Sequence, residues 1–173
     1  MINRIIGVFK LDVNTFEAIE HDQSATAQAA VVVAIVAILS AIGSGISASA
    51  VGGGFFLSFV GTLVWAFIGW FLWALVTYFV GTSFFGGTAT VDEMLRVIGF
   101  AQAPLLLSVI PCIGAIIGAI WALIAGFIAI RQGLDLDNMK ALLTIAIGFI
   151  VYIIGSAFIG LITGGASALL NLS

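Results

Sequence analysis

The stretch TATVDEMLRVIGFAQAPLLLSVIPCIGAIIGAIW, Thr88 to Trp121, sets three charges within five residues (Asp92, Glu93, Arg96) and then carries none. Its apolar run is broken by Gln102, Pro104 and Pro111. The uncharged run from Val97 to Ile130 is 34 residues long. As one straight helix it would measure about 51 Å at 1.5 Å per residue, against a hydrocarbon core of about 30 Å. Each proline also removes an amide donor and clashes with the preceding turn. The run therefore reads as two helices turning near Pro111 and Cys112. Thr90-x-x-Glu93 is a capping-box pattern, which starts the first of them at Val91 and ends it near Ile110. The charges mark where a helix enters a membrane, and the prolines shape a hairpin.

Composition supports the same reading outward along the chain. The 173 residues suit one domain, 62% are hydrophobic and 8% charged, where soluble domains carry about 25% charged residues. So little polar side chain cannot cover a water-soluble core. No charged residue lies between Asp22 and Asp92, between Arg96 and Arg131, or after Lys140. Spans are expected near Ala25–Ala48, Phe55–Val80, Val91–Ile110, from Cys112 towards Ile130, and Ala141–Thr163. The small-residue stretch Gly43–Gly54 separates the first two, and Gly164-Gly165 ends the last. The expected fold is all-α, a membrane protein of five transmembrane helices. Trp70 is expected to pack within the bundle, and Tyr78 to lie near an interface.

Cation placement tests the count. With the N-terminus inside, five spans put Arg4, Lys10, Arg96, Arg131 and Lys140 all on the cytoplasmic side, as the positive-inside bias requires. Four spans would split them three to two. Residues 1–22 carry Ile2, Ile5, Ile6, Phe9, Val13, Phe16 and Ile19 at helical spacing. They are expected to form an N-terminal interfacial amphipathic helix, or a stripe packed against the protein's own helices or a partner's. Residues 23–173 form the five-span domain.

Chemistry is sparse. All Asp, Glu, Lys, Arg and His fall on the expected cytoplasmic edge, so ion-coupled transport has no group at depth to use. No Ser/His/Asp set, metal-ligand spacing or phosphate loop occurs, which argues against an enzyme, a metal site or a cofactor. The net charge of −3 offers no basic patch for nucleic acid. One cysteine, Cys112, forbids an internal disulfide, and no cleavable signal peptide is visible. His21 reads as solvated. Asp135 and Asp137 fall short of a calcium loop, and Asp137 or Asn138 reads as the cap of the last span. Gly114 and Gly118 sit at the spacing that lets helices approach closely, as do Ser156, Gly160 and Gly164.

The candidate lipid or partner contacts are Arg96, Asp92, Gln102 and Arg131. Arg96 stands four residues after Asp92, on the same helix face, and is read first as a membrane anchor whose guanidinium snorkels to the headgroups. On that reading Arg96→Lys is tolerated.

Three stretches together resemble the Yip domain family, whose eukaryotic members are Ypt/Rab-interacting membrane proteins. They are FKLDVNTFEAI (Phe9–Ile19), FGGTATVDEMLRVIGFAQAPLLL (Phe85–Leu107) and IWALIAGFIAIRQGLDLDNMKALL (Ile120–Leu143). The resemblance is to a short prokaryotic-type member. It implies five spans, a cytoplasmic N-terminus, an outside C-terminus and the plasma membrane of a prokaryote. The proline often found before the Thr-Phe pair is replaced by Asp12-Val13-Asn14, and the long N-terminus of eukaryotic members has no counterpart, which argues against binding of a small GTPase. Contact with membrane lipids, or with other membrane protein subunits, is the expected mode of action.

Overall fold

The structure, a computed structural model, describes the backbone of residues 1–110 and 113–170 and the side chains of 1–110 and 113–154. Among the described residues every regular element is helical. They are α1 (Ile2–Phe9), α2 (Val13–His21), α3 (Ala25–Ala50), α4 (Phe55–Phe85), α5 (Val91–Ala101), a 3-10 helix (Ala103–Val109), α6 (Ile113–Gly133) and α7 (Asn138–Leu170). Among the described residues, three of them, α3, α4 and α6, are long and apolar enough to cross a membrane, and the part of α7 whose side chains are described, Asn138–Ile154, is apolar too. Their outward residues are apolar, as at Val31, Ile35, Ile38 and Ile42 on α3 and Ile116, Ile120 and Leu123 on α6. Water is a poor solvent for such a surface.

The short α5 is the hub, in contact with α2, α3, α4 and α6. Thr90 caps it: its hydroxyl accepts from the Glu93 amide at 3.2 Å, and the Glu93 carboxylate accepts from the Thr90 amide at 2.7 Å. Here the expected capping box is present. The expected single helix Val91–Ile110 is not. The α-helix stops at Ala101 and continues as the 3-10 segment with Pro104 in its first turn. Proline disfavours the α conformation in the residue before it, and the tighter winding suits a proline near its start. Fully wound, the two pieces together still reach about 30 Å, because a 3-10 helix rises about 2.0 Å per residue. The turn at Pro111 and Cys112 lies outside the described residues.

Small residues place the 3-10 segment against α6. A Cβ on Gly114 would stand 2.0 Å from the Leu107 carbonyl oxygen, and one on Gly118 would stand 2.8 Å from that of Pro104. The spacing read from sequence is thus used for packing inside the chain. Ser156, Gly160 and Gly164 lie beyond the described side chains.

Three boundaries differ from the sequence expectation. Helix α3 runs through Gly43 and Gly45 to Ala50, and the turn is confined to 51–54, with Gly52 at φ +80°. Gly45 inside α3 makes room for a neighbour: the Phe55 ring lies 2.7 Å from where its Cβ would be, whereas a Cβ on Gly43 would meet nothing within 4 Å. Helix α4 extends past Val80 to Phe85, ending at Gly86 with φ +72°, a left-handed cap that favours glycine. Helix α7 begins at Asn138, with Asp137 accepting from the Lys140 amide at 3.0 Å, and passes through Gly164-Gly165 to Leu170. At 31 and 33 residues, α4 and α7 exceed the bilayer core and suit a tilted or protruding placement.

The N-terminal segment is two helices, not one. Leu11 adopts φ +56° and Asp12 caps α2, folding α1 and α2 into a hairpin. Of the two readings of its apolar stripe, packing on the protein's own helices accounts for most of it. Phe16 and Ile19 are fully buried, as is Val8 beside the stripe, Ile5 and Phe9 pack against the core, and α1 and α2 touch α5 and α6. Only Ile2, Ile6 and Val13 of the stripe remain exposed.

Candidate functional site: an arginine clasp and a tryptophan pocket

Arg96 is the best-connected polar side chain of the core. Being on the inner face of α5, it is 3% exposed. Its Nε and Nη2 donate to one acceptor, the backbone carbonyl of Glu20, at 3.0 and 2.7 Å. That carbonyl belongs to the last turn of α2, where four acceptors lack helical partners, and a cation there also complements the helix dipole. The Nη1 donates to the Asp92 carboxylate and, at 3.4 Å, to the Thr26 hydroxyl of α3. Glu93 adds an ion pair at 3.8 Å. Asp92 itself accepts from Thr26 at 3.0 Å. Arg96 and Asp92 are thus brought together, as the four-residue spacing implied. The snorkelling anchor is corrected: the guanidinium turns inward and joins α2, α3 and α5.

Further ties fasten the hairpin. Arg4 pairs with Asp22 and donates to Gln28 at 3.0 Å. Hydrogen bonds from Ser24, then that from Arg4, lower the Asp22 carboxyl to about 2. The indole of Trp121, well inside α6, donates to the Phe9 carbonyl at the end of α1 at 2.8 Å. At the other end of α6, Gln132 donates to Glu17 of α2 at 2.6 Å. Arg131 stays local, bonded to Gln132 at 2.9 Å and to Asn138 at 3.0 Å; it shores up the α6–α7 corner and does not join the clasp. His21 is exposed and contacts the Glu17 carbonyl at 3.0 Å.

Gln102 lies elsewhere. It lines a pocket of about 430 Å³ framed by four helices that touch in sequence, α4 with α5, α5 with α6, α6 with α7 and α7 with α4. Its aromatic lining includes Trp65, Trp70, Trp73, Phe127 and Tyr152. Trp70 packs as expected, its indole donating to the Leu95 carbonyl at 3.0 Å, and Trp73 meets Tyr152 edge-on at 6.4 Å. The Gln102 amide makes no side-chain hydrogen bond among the described residues. Size and lining suit a small-molecule site, which is typically about 300–1,000 Å³ and mostly apolar with a few polar groups.

Sequence reasoning missed Glu20, Trp121 and the pocket as a unit. The tryptophans of α4 were visible, but nothing local says that Trp65, Gln102 and Phe127 share one cavity. Among the described residues, no group of three or more His, Cys, Asp or Glu is placed to hold a metal ion.

Comparison with known families places these features. The sequence model of the Yip1 domain matches residues 6–161, from α1 through most of α7. The chain belongs to the Yip1 domain family. No curated protein and no solved structure matches it. As a Yip1 domain protein with several apolar helices long enough to cross a bilayer, it is an integral membrane protein. The match begins inside α1 and takes in α2.

Proposed function

We propose that this Yip1 domain protein has no catalytic activity and works in membrane organisation by holding lipid between its helices. The observation that carries this is the tryptophan pocket. It is apolar, framed by four helices that expose apolar faces, and is lined by the Gln102 amide, which makes no side-chain hydrogen bond among the described residues. Its lining on α5 and α7 begins roughly 10 Å in from each helix's first residue, which is hydrocarbon depth if the charged loops lie at the headgroups. Lipid is the solvent there. In the same reading the chain crosses five times, with α5 and the 3-10 segment together forming the third crossing. The N-terminus and all cations are cytoplasmic, and the membrane is the plasma membrane of a prokaryote. Other membrane subunits are possible neighbours, and small-GTPase binding is not part of the proposal.

Native mass spectrometry of protein purified in mild detergent tests this reading. A Cβ on Gly126 meets nothing within 4 Å, so Gly126→Leu can fill the pocket without displacing backbone. Lipid retained by the wild type and lost from Gly126→Leu supports the proposal. A stoichiometric membrane protein in place of lipid would instead make the chain an accessory subunit. Reconstituted protein that conducts a solute, and stops when the pocket is filled, would make it a channel or carrier.

A further inference from the structure

Glu20 plays no part in that reading and lies in a different part of the molecule. It is the penultimate residue of α2 and is 5% exposed. Arg96 holds its backbone carbonyl, but its own carboxyl Oε2 is buried with no hydrogen-bond partner. A negative charge on the carboxylate would leave that oxygen without water or a donor. Its neighbours make the charge harder to keep: Glu17 on α2, Glu93 on α5 and Asp135 in the α6–α7 loop all oppose ionisation, and only His21 favours it. The nearby cations are committed elsewhere. Arg96 of α5 serves the Glu20 carbonyl, Asp92 and Glu93; Arg4 of α1 serves Asp22 and Gln28; Arg131 of α6 serves Gln132 and Asn138. Lys10 is exposed at the hairpin corner.

We propose that the α1–α2 hairpin is a pH-dependent clasp, docked on α5 and α6 while Glu20 is protonated and loosened when Glu20 ionises. Burial first, and then Asp135, raise this carboxyl from 4.5 to about 7. Because the docked value is raised, the contribution is complete below the free value and is lost as pH rises through about 7. Those two values make the docking equilibrium fall about tenfold between pH 6 and pH 8. Release uncovers Val8, Phe16 and Ile19, an apolar face that docking buries.

The test uses the full chain in lipid nanodiscs, with Cys112→Ala and spin labels at two exposed sites, Asn14 on α2 and Met139 on α7. Pulsed dipolar spectroscopy then reads the distance between them at pH 6 and pH 8. Wild type is expected to gain a longer-distance population at pH 8, its ratio to the docked population rising about tenfold. Glu20→Gln, neutral at both values, is expected to stay docked, and His21→Gln is expected to keep the response. Asp135→Asn, a change in an exposed loop residue, is expected to shrink the response, which keeps the idea testable if Glu20→Gln inserts poorly. Identical wild-type distances at both pH values, a response that survives Glu20→Gln, or one abolished by His21→Gln, would overturn the proposal.

Discussion

Arg96 and Glu20, 76 residues apart, are joined by two hydrogen bonds from one guanidinium to one backbone carbonyl, at 3.0 and 2.7 Å. The acceptor is main chain, so what Arg96 recognises is the end of helix α2, not the side chain at position 20. The remaining amino group reaches Asp92 on its own helix. The planar fork serves both directions at once, which a point charge on a flexible stem cannot do.

Arg96→Lys is therefore expected to be damaging, the reverse of what a headgroup anchor would show. Loss of the paired donors should cost about 2 kcal/mol, the usual scale for hydrogen bonds involving a charged group. Hydrogen exchange should rise in α1 and α2 well before it rises in α3. Exchange in the hairpin indistinguishable from wild type would remove the clasp from the account.

Trp121→Phe isolates a second tie. The Phe9 carbonyl is among the end-of-helix acceptors of α1 that have no helical partner, and the Trp121 indole supplies one. Phenylalanine preserves most of the ring and deletes the donor, so about 1 kcal/mol should be lost. Thermal unfolding in detergent measures it. A gain in stability would mean that the indole is not needed where it stands.

Glycine substitutions along α6 should separate by position. Gly118→Ala pushes a methyl group to 2.8 Å from the Pro104 oxygen, and backbone must move; overpacking of this kind costs about 1–3 kcal/mol. Gly114→Ala, at 2.0 Å from the Leu107 oxygen, should be worse. Gly126→Ala meets open space and should match or exceed wild-type stability, since alanine is the better helix former by about 1 kcal/mol. Comparable losses at Gly118 and Gly126 would contradict the close approach of α6 to the 3-10 segment.

Orientation is checked by labelling single cysteines in intact cells, in a Cys112→Ala background. Cysteines at Ser49 and Ser173 should react only with reagent supplied outside, and one at Gln132 only after the cytoplasm is opened. Labelling of Gln132 from outside together with Ser49 from inside would reverse the proposed topology.

The sequence alone determined the membrane setting, the start of α5 at Thr90 and the cap at Asp137. Each rests on local physics: a run of apolar residues, a count of charges, or a side chain reaching an amide three residues away. The family was legible too, in motifs that run in order along the chain. Tertiary structure decided the rest. Arg96 looked like an anchor because arginine near a helix start usually reaches headgroups; that it caps α2 depends on a chain segment 76 residues distant. Gly43 and Gly45 looked like a break because glycine weakens a helix, but that intrinsic cost is modest, and at Gly45 the missing side chain admits the Phe55 ring. Whether the N-terminal stripe met lipid or protein was undecidable from periodicity, since both offer apolar contact; the fold buries Phe16 and Ile19 against the protein and leaves Ile2, Ile6 and Val13 exposed. The pocket around Gln102 and the strained setting of Glu20 exist only where several helices meet, and no single stretch of sequence contains them.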